Sequence, residues 1–155
     1  MQILSILYLA FISLVYSQYS WERSGSEPIL QEGIHALYNY EFDKSIALLD
    51  SAESLDVKHP AIPFIKLSAN WLKSQSEEGY SKSYETINLE VDRLIPIYNN
   101  YIDMFPNDPE YLLYLGSTYG MRARTALASK EWLSAFLSGY KGLSHILKAE
   151  ALDDR

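Results

Sequence analysis

The chain has 155 residues, 13 Lys+Arg against 20 Asp+Glu for a net charge of −7, 48% hydrophobic residues and no cysteine. That length can bury a real core and the apolar share is that of a folded protein, which excludes wholesale disorder. The absence of cysteine excludes disulfides, thiolate metal sites, a catalytic thiol and a lipid anchor on cysteine, and the acidic balance argues against nucleic acid as partner, because phosphate binding needs a basic face.

Residues Ile3 to Val15 read ILSILYLAFISLV, and no charged side chain precedes Glu22. An apolar run of about 13 residues falls short of the roughly 20 that a spanning helix needs and has the length of a signal-peptide core. Val15 and Ser17 are small enough for the −3 and −1 positions of a cleavage site before Gln18. Residues 1–17 are therefore expected to be a cleaved export signal, with an uncleaved anchor or a buried helix as the alternatives. An exported chain without cysteine suits a bacterial periplasm or cell surface. No stable membrane span is expected after signal removal.

Residues 18–26, QYSWERSGS, form a polar spacer. The periodicity is helical nearly throughout the rest, residues 27–155. A first helix is expected over about Glu27–Asn39, with Ser26 as N-cap, Pro28 in the first turn, and Ile29, Ile34, Leu37 and Tyr38 as its apolar side. A second runs about Phe42–Asp56 and carries Phe42, Ile46, Leu49, Ala52 and Leu55 on one face. A third covers about Pro60–Ser74 with Phe64, Leu67, Trp71 and Leu72, followed by a polar loop from Gln75 to Lys82.

The fourth helix has the clearest stripe, with Tyr84, Ile87, Val91, Leu94, Tyr98, Tyr101 and Phe105 at alternating steps of 3 and 4. Pro96 lies inside that stripe and is expected to kink it. Asp108 and Pro109 open the fifth helix as N-cap and first residue, and Leu112, Leu115, Tyr119, Ala123 and Ala126 carry its face. Ser129 reads as the cap of a sixth helix over about Lys130–Leu152. The expected architecture is all-α, about six helices in three antiparallel hairpins.

Helix pairs invite a search for an internal repeat. In residues 33–56, GIHALYNYEFDKSIALLDSAESLD, a small residue sits on the first helix. Phe42 opens the second, which also carries Ser45 and Ala52, and Leu55-Asp56 closes the pair. Leu115-Gly116-x-x-Tyr119 follows Pro109, Trp132 and Ala135 open the helix after it, and Ala151-Leu152-Asp153 ends it. The middle pair, residues 60–107, keeps the helix pattern and the ending Phe105-Pro106-Asn107.

These residues resemble the tetratricopeptide repeat over about residues 27–155, and the whole chain is similar to exported bacterial tetratricopeptide-like proteins. The resemblance implies a right-handed solenoid of hairpins that acts as a scaffold, with no known reaction and no cofactor. It also implies further C-terminal repeats beyond this sequence.

Chemical motifs are sparse. His35, His59 and His145 have no ligand spacing, so no metal is expected and each reads as a partly exposed surface or cap histidine. Glu77-Glu78 reads as a solvated pair in a loop, and Gly116 and Gly120, four apart, read as a site of close helix packing. Tyr98, Tyr101, Tyr111, Tyr114 and Tyr119 gather at the fourth-to-fifth helix turn and are expected to pack between helices.

Charge is uneven. Residues 24–110 carry net −9, whereas residues 111–149 carry Arg122, Arg124, Lys130, Lys141 and Lys148 against Glu131 alone. A basic end of that kind can meet an acidic partner.

In the sixth helix Ser134, Ser138, Lys141, His145 and Lys148 form one narrow polar stripe, and almost everything else is apolar or small. That arc is wide enough to be covered on two sides, and the fifth helix can cover only one. The expected function is a helical-repeat protein-binding or scaffolding module of the bacterial envelope, periplasmic or extracellular. Its partner is a protein or peptide, a second copy of the chain included, and the contact candidates are Leu133, Leu137, Tyr140, Leu147, Arg122 and Arg124. The alternative is a small all-α enzyme or anionic-ligand binder using Tyr119, Arg122, Arg124 and His145.

Overall fold

The structure, a computed structural model, describes residues 25–153. The expected signal segment 1–17 and residues 18–24 of the spacer lie outside the described residues. Six helices form among them: α1 (residues 25–38), α2 (Phe42–Leu55), α3 (Ala61–Glu77), α4 (Tyr80–Met104), α5 (Pro109–Ala128) and α6 (Trp132–Leu152). They fall into two compact units that divide between His59 and Pro60.

The first unit is the α1–α2 hairpin. Residues 25 and 26 are already helical, so Ser26 is a buried helix residue and not the cap. The buried side of α1 is Ser26, Leu30, Gly33 and Ala36, whereas Tyr38 is 81% exposed. Of the expected face, Ile29, Ile34 and Leu37 are half-buried at its flanks, and Tyr38 is corrected to the outside. Small residues let the two backbones approach, and a Cβ on Gly33 would sit 3.2 Å from Leu49. Ser45 Oγ crosses the same interface to donate to the Gly33 carbonyl at 2.8 Å. On α2, Ser45, Leu49 and Ala52 are buried, and Leu55 is turned out.

In the second unit, α3 packs on α4, α4 on α5 and α5 on α6, with a further contact between α3 and α5. Its core is Leu67 from α3, Ile87, Val91, Leu94, Ile95 and Tyr98 from α4, and Tyr111 and Leu115 from α5. Each such side chain contributes about 1.5–3 kcal/mol by leaving water. The α4 stripe read from spacing supplies the centre of this core, and Pro96 lies on the exposed side of a helix that continues past it. Tyr98 is fully buried, and its hydroxyl donates to the Pro60 carbonyl at 2.8 Å. Burial raises its pKa far above the ordinary phenol value, which keeps that donor protonated.

Two boundaries differ from expectation. The eight-residue polar loop is a two-residue turn, because α3 runs on to Glu77 and α4 starts at Tyr80. Ser74 Oγ donates to the Glu78 carboxylate at 2.8 Å and accepts from the Thr86 hydroxyl at 3.2 Å, so this polar stretch is tied together and Glu78 is not simply a solvated charge. Gly79 takes φ +89°, a conformation that only glycine adopts readily. Ser129 is the C-cap of α5, and α6 starts three residues later. The Asp108 cap forms as expected, its carboxylate accepting from Glu110 N at 2.9 Å.

The α1–α2 and α5–α6 turns have the same backbone. Glu41 N donates to Ala36 O at 2.9 Å and Glu131 N to Ala126 O at 2.8 Å. Tyr40 N donates to Leu37 O at 3.1 Å and Lys130 N to Leu127 O at 3.0 Å. Tyr40 and Lys130 both take φ +61°. This is a Schellman ending with a non-glycine residue in the left-handed position.

The second helices of all three hairpins begin alike. The N-caps Glu41, Gly79 and Glu131 are each followed at once by an aromatic residue, Phe42, Tyr80 or Trp132. The fourth residue after each cap is small and buried: Ser45, Ser83 and Ala135.

Candidate interaction face on α5 and α6

The α5–α6 contact is made by small residues. Ala135, Ser138, Gly142 and Ala149 are the buried side of α6, and Gly116 is buried opposite them on α5. A Cβ on Gly116 would lie 2.7 Å from the Gly142 carbonyl oxygen, and one on Gly142 would lie 2.8 Å from that of Gly116. The expected polar stripe therefore divides. Ser138 faces inward and His145 is half-buried, whereas Ser134, Lys141 and Lys148 stay in solvent.

With the small side turned in, the large side is turned out. Leu133, Leu137, Tyr140 and Leu147 are 50–71% exposed, and Trp132, Phe136 and Leu143 lie between them at 54–69%. The four apolar candidates read from sequence thus share one face. An open groove of about 590 Å³ at its N-terminal end is lined by Leu133 and Leu137 together with Arg122 of α5, Glu131, Trp132, Ser134 and Ser138. Arg124 does not belong to that groove. Arg124 is exposed, and its guanidinium lies 4.6 Å from the centre of the half-buried Trp71 ring on α3, a cation–π contact.

The residues of the alternative reading gather only in part. The Tyr119 and His145 rings stack at 5.8 Å and 9°. Lys141 Nζ lies 5.7 Å and the Arg122 guanidinium 5.9 Å from the centre of the Tyr119 ring. The charge of Arg122 is matched by Asp92 of α4, with which it forms an ion pair. Burial, then Lys148 and Lys141, hold the His145 pKa below the ordinary histidine value, which favours the neutral ring. The arrangement orients α5 against α4 and α6. Arg124 points elsewhere, so the four residues do not converge.

The tyrosines divide too. Tyr98, Tyr101, Tyr111 and Tyr114 form a chain of ring contacts with centroids 5.1–6.5 Å apart, joined by Phe64 and Phe105, and Tyr119 stands apart from it. Among the histidines, His59 is buried, 3.4 Å from the Glu27 carboxylate, which corrects its reading as a partly exposed residue. Among the described residues, no three His, Asp or Glu side chains come together as a metal site would require. No described helix is long and apolar enough to cross a membrane.

Trp132, Phe136 and Leu143 belong to the wide apolar arc read from sequence but were not among its contact candidates. The signal was present in the small residues at 135, 138, 142 and 149, which mark the side of closest approach. No family model, no curated protein and no solved structure matches the chain.

Proposed function

We propose that the chain is a tetratricopeptide-like helical-repeat module that binds or scaffolds other proteins, with the outer face of α6 as its contact surface. The observation that carries this is the row of large apolar side chains from Trp132 to Leu147, seven of them 50–71% exposed, on a helix that buries Ala135, Ser138, Gly142 and Ala149 instead. A folded monomer rarely leaves so continuous an apolar strip in water without a use for it. The repeat reading is supported by the aromatic residues at the starts of α2, α4 and α6 and by the buried Ser45, Ser83 and Ala135. Small residues at such positions let the helices of a hairpin close. No catalytic step is part of the proposal.

The setting we propose is the bacterial envelope, periplasmic or extracellular, reached by cleavage after Ser17. N-terminal sequencing of the exported chain checks this, and a chain still starting at Met1 overturns it. Binding is tested by affinity capture from the native envelope with the wild-type chain and with Leu133→Glu and Leu137→Glu. A partner kept by the wild type and lost by both folded variants is expected. Equal capture by all three overturns the role of the face.

A further inference from the structure

The molecule contains its own example of a covered second helix. With the N-caps Gly79 and Glu131 in register, Asn88, Val91 and Ile95 of α4 correspond to Tyr140, Leu143 and Leu147 of α6. On α4, Val91 and Ile95 are buried, and Asn88, at the exposed rim, is tied to α5 by a hydrogen bond. Asn88 Oδ1 accepts from the Thr125 hydroxyl at 2.7 Å, and Val91 and Ile95 lie in the core with Leu115. On α6 the corresponding three side chains are 53–67% exposed. Leu133, Leu137, Tyr140, Leu143 and Leu147 step by 4, 3, 3 and 4, the spacing by which one helix seats another.

Charge names the edge of the occupant. Lys141 and Lys148 flank the strip beside Leu137, both exposed, and neither is in an ion pair among the described residues. The opposite edge carries Trp132 and Leu143 and ends in Glu150. An anionic bilayer laid along the strip would meet Glu150 as well as the lysines, whereas a helix can match the two edges separately.

From the α4–α5 contact and this one-sided charge we infer that the outer face of α6 receives an amphipathic helix of a partner protein. That helix seats as α5 seats on α4, with acidic side chains along the edge facing Lys141 and Lys148. The inference rests on the binding-module reading and specifies its partner. Such a helix buries its apolar side in the strip, and the acidic edge sets its direction and register.

The test uses the full chain and two synthetic helical peptides that share a leucine stripe. One carries glutamate along one edge and the other carries lysine there. Binding is followed by fluorescence anisotropy at low and high salt. The glutamate peptide should bind at least about tenfold more tightly at low salt, with the gap closing as salt rises. Tyr140→Glu should abolish binding of both peptides, and Lys141→Glu with Lys148→Glu should reverse the preference. All three positions are exposed, so unchanged thermal melts verify that the variants fold.

Equal affinity for the two peptides, or binding that survives Tyr140→Glu, overturns the inference. So does sedimentation of the chain with anionic phosphatidylglycerol vesicles when neither peptide binds, or its self-association through Tyr140. If neither peptide binds but partner capture still depends on Leu133 and Leu137, the binding-module reading stands and only this inference falls.

Discussion

Gly116 and Gly142 meet backbone to backbone, each glycine Cα so close to the other's carbonyl oxygen that a Cβ on either would come within 2.7–2.8 Å of it. Gly120, one turn further along α5, has open space where its Cβ would be. The pair is the closest approach of α5 to α6 among the glycines of that hairpin, and it fixes which side of α6 can face inward.

Gly116→Ala should destabilise the chain by about 1–3 kcal/mol, because the contact atom is backbone and cannot swing away. Gly120→Ala should stabilise it by up to about 1 kcal/mol through helix propensity alone. Urea denaturation of both variants decides the matter. Two variants of equal stability would contradict the close approach.

Tyr98→Phe should cost about 1–2 kcal/mol, since it leaves the buried Pro60 carbonyl without its donor while keeping the ring. The melting temperature checks this. A variant as stable as the wild type would mean that the bond contributes nothing net.

Two turns offer opposite outcomes. Lys130→Gly should gain up to about 1 kcal/mol, because φ +61° costs any residue with a Cβ more than it costs glycine. Gly79→Ala should lose about 1–3 kcal/mol, although nothing lies within 4 Å of the added carbon, because its φ of +89° strains the backbone. Equilibrium unfolding of both variants reads the difference in sign.

The lowered His145 pKa sets the direction of a pH effect. An unfolded histidine takes its proton near about pH 6.5, before the folded one does. Stability from this group is therefore complete above that pH and falls as pH drops through the window down to the folded value. His145→Gln should flatten the decline of melting temperature between about pH 7.5 and 5.5, and Lys148→Gln should reduce it. Identical pH profiles for wild type and His145→Gln would refute the assignment.

The parts of the fold legible in sequence were those where large apolar residues carry the packing. The α4 stripe, from Ile87 to Tyr98, recurs as the core, and Asp108-Pro109 opens α5 as its chemistry dictates. Misreadings came where small residues carry it. Gly33 and Ala36 share the buried side of α1 with Leu30, whereas the large Tyr38 is outside. The start of α4 was hidden because Ser74, Glu78 and Thr86 look like loop residues until their hydrogen bonds tie the turn together. On the candidate face, Leu133, Leu137, Tyr140 and Leu147 were readable from the width of the apolar arc. Arg124 was not, because its partner Trp71 lies two helices away in the chain.

In α6 the usual relation between side-chain size and burial is inverted: the buried residues are Ala135, Ser138, Gly142 and Ala149, and Leu133, Leu137, Leu143, Leu147, Phe136 and Trp132 are outside. The positions that pack the hairpin and those left in solvent are thus separate sets in one helix. Gly142 admits no side chain without a shift of the Gly116 backbone, whereas the outer row can be rewritten in shape and polarity at small cost to the bundle. Under the binding role proposed above, a lineage could exchange partners by changing that row alone, and the hairpin beneath would keep its geometry through each exchange.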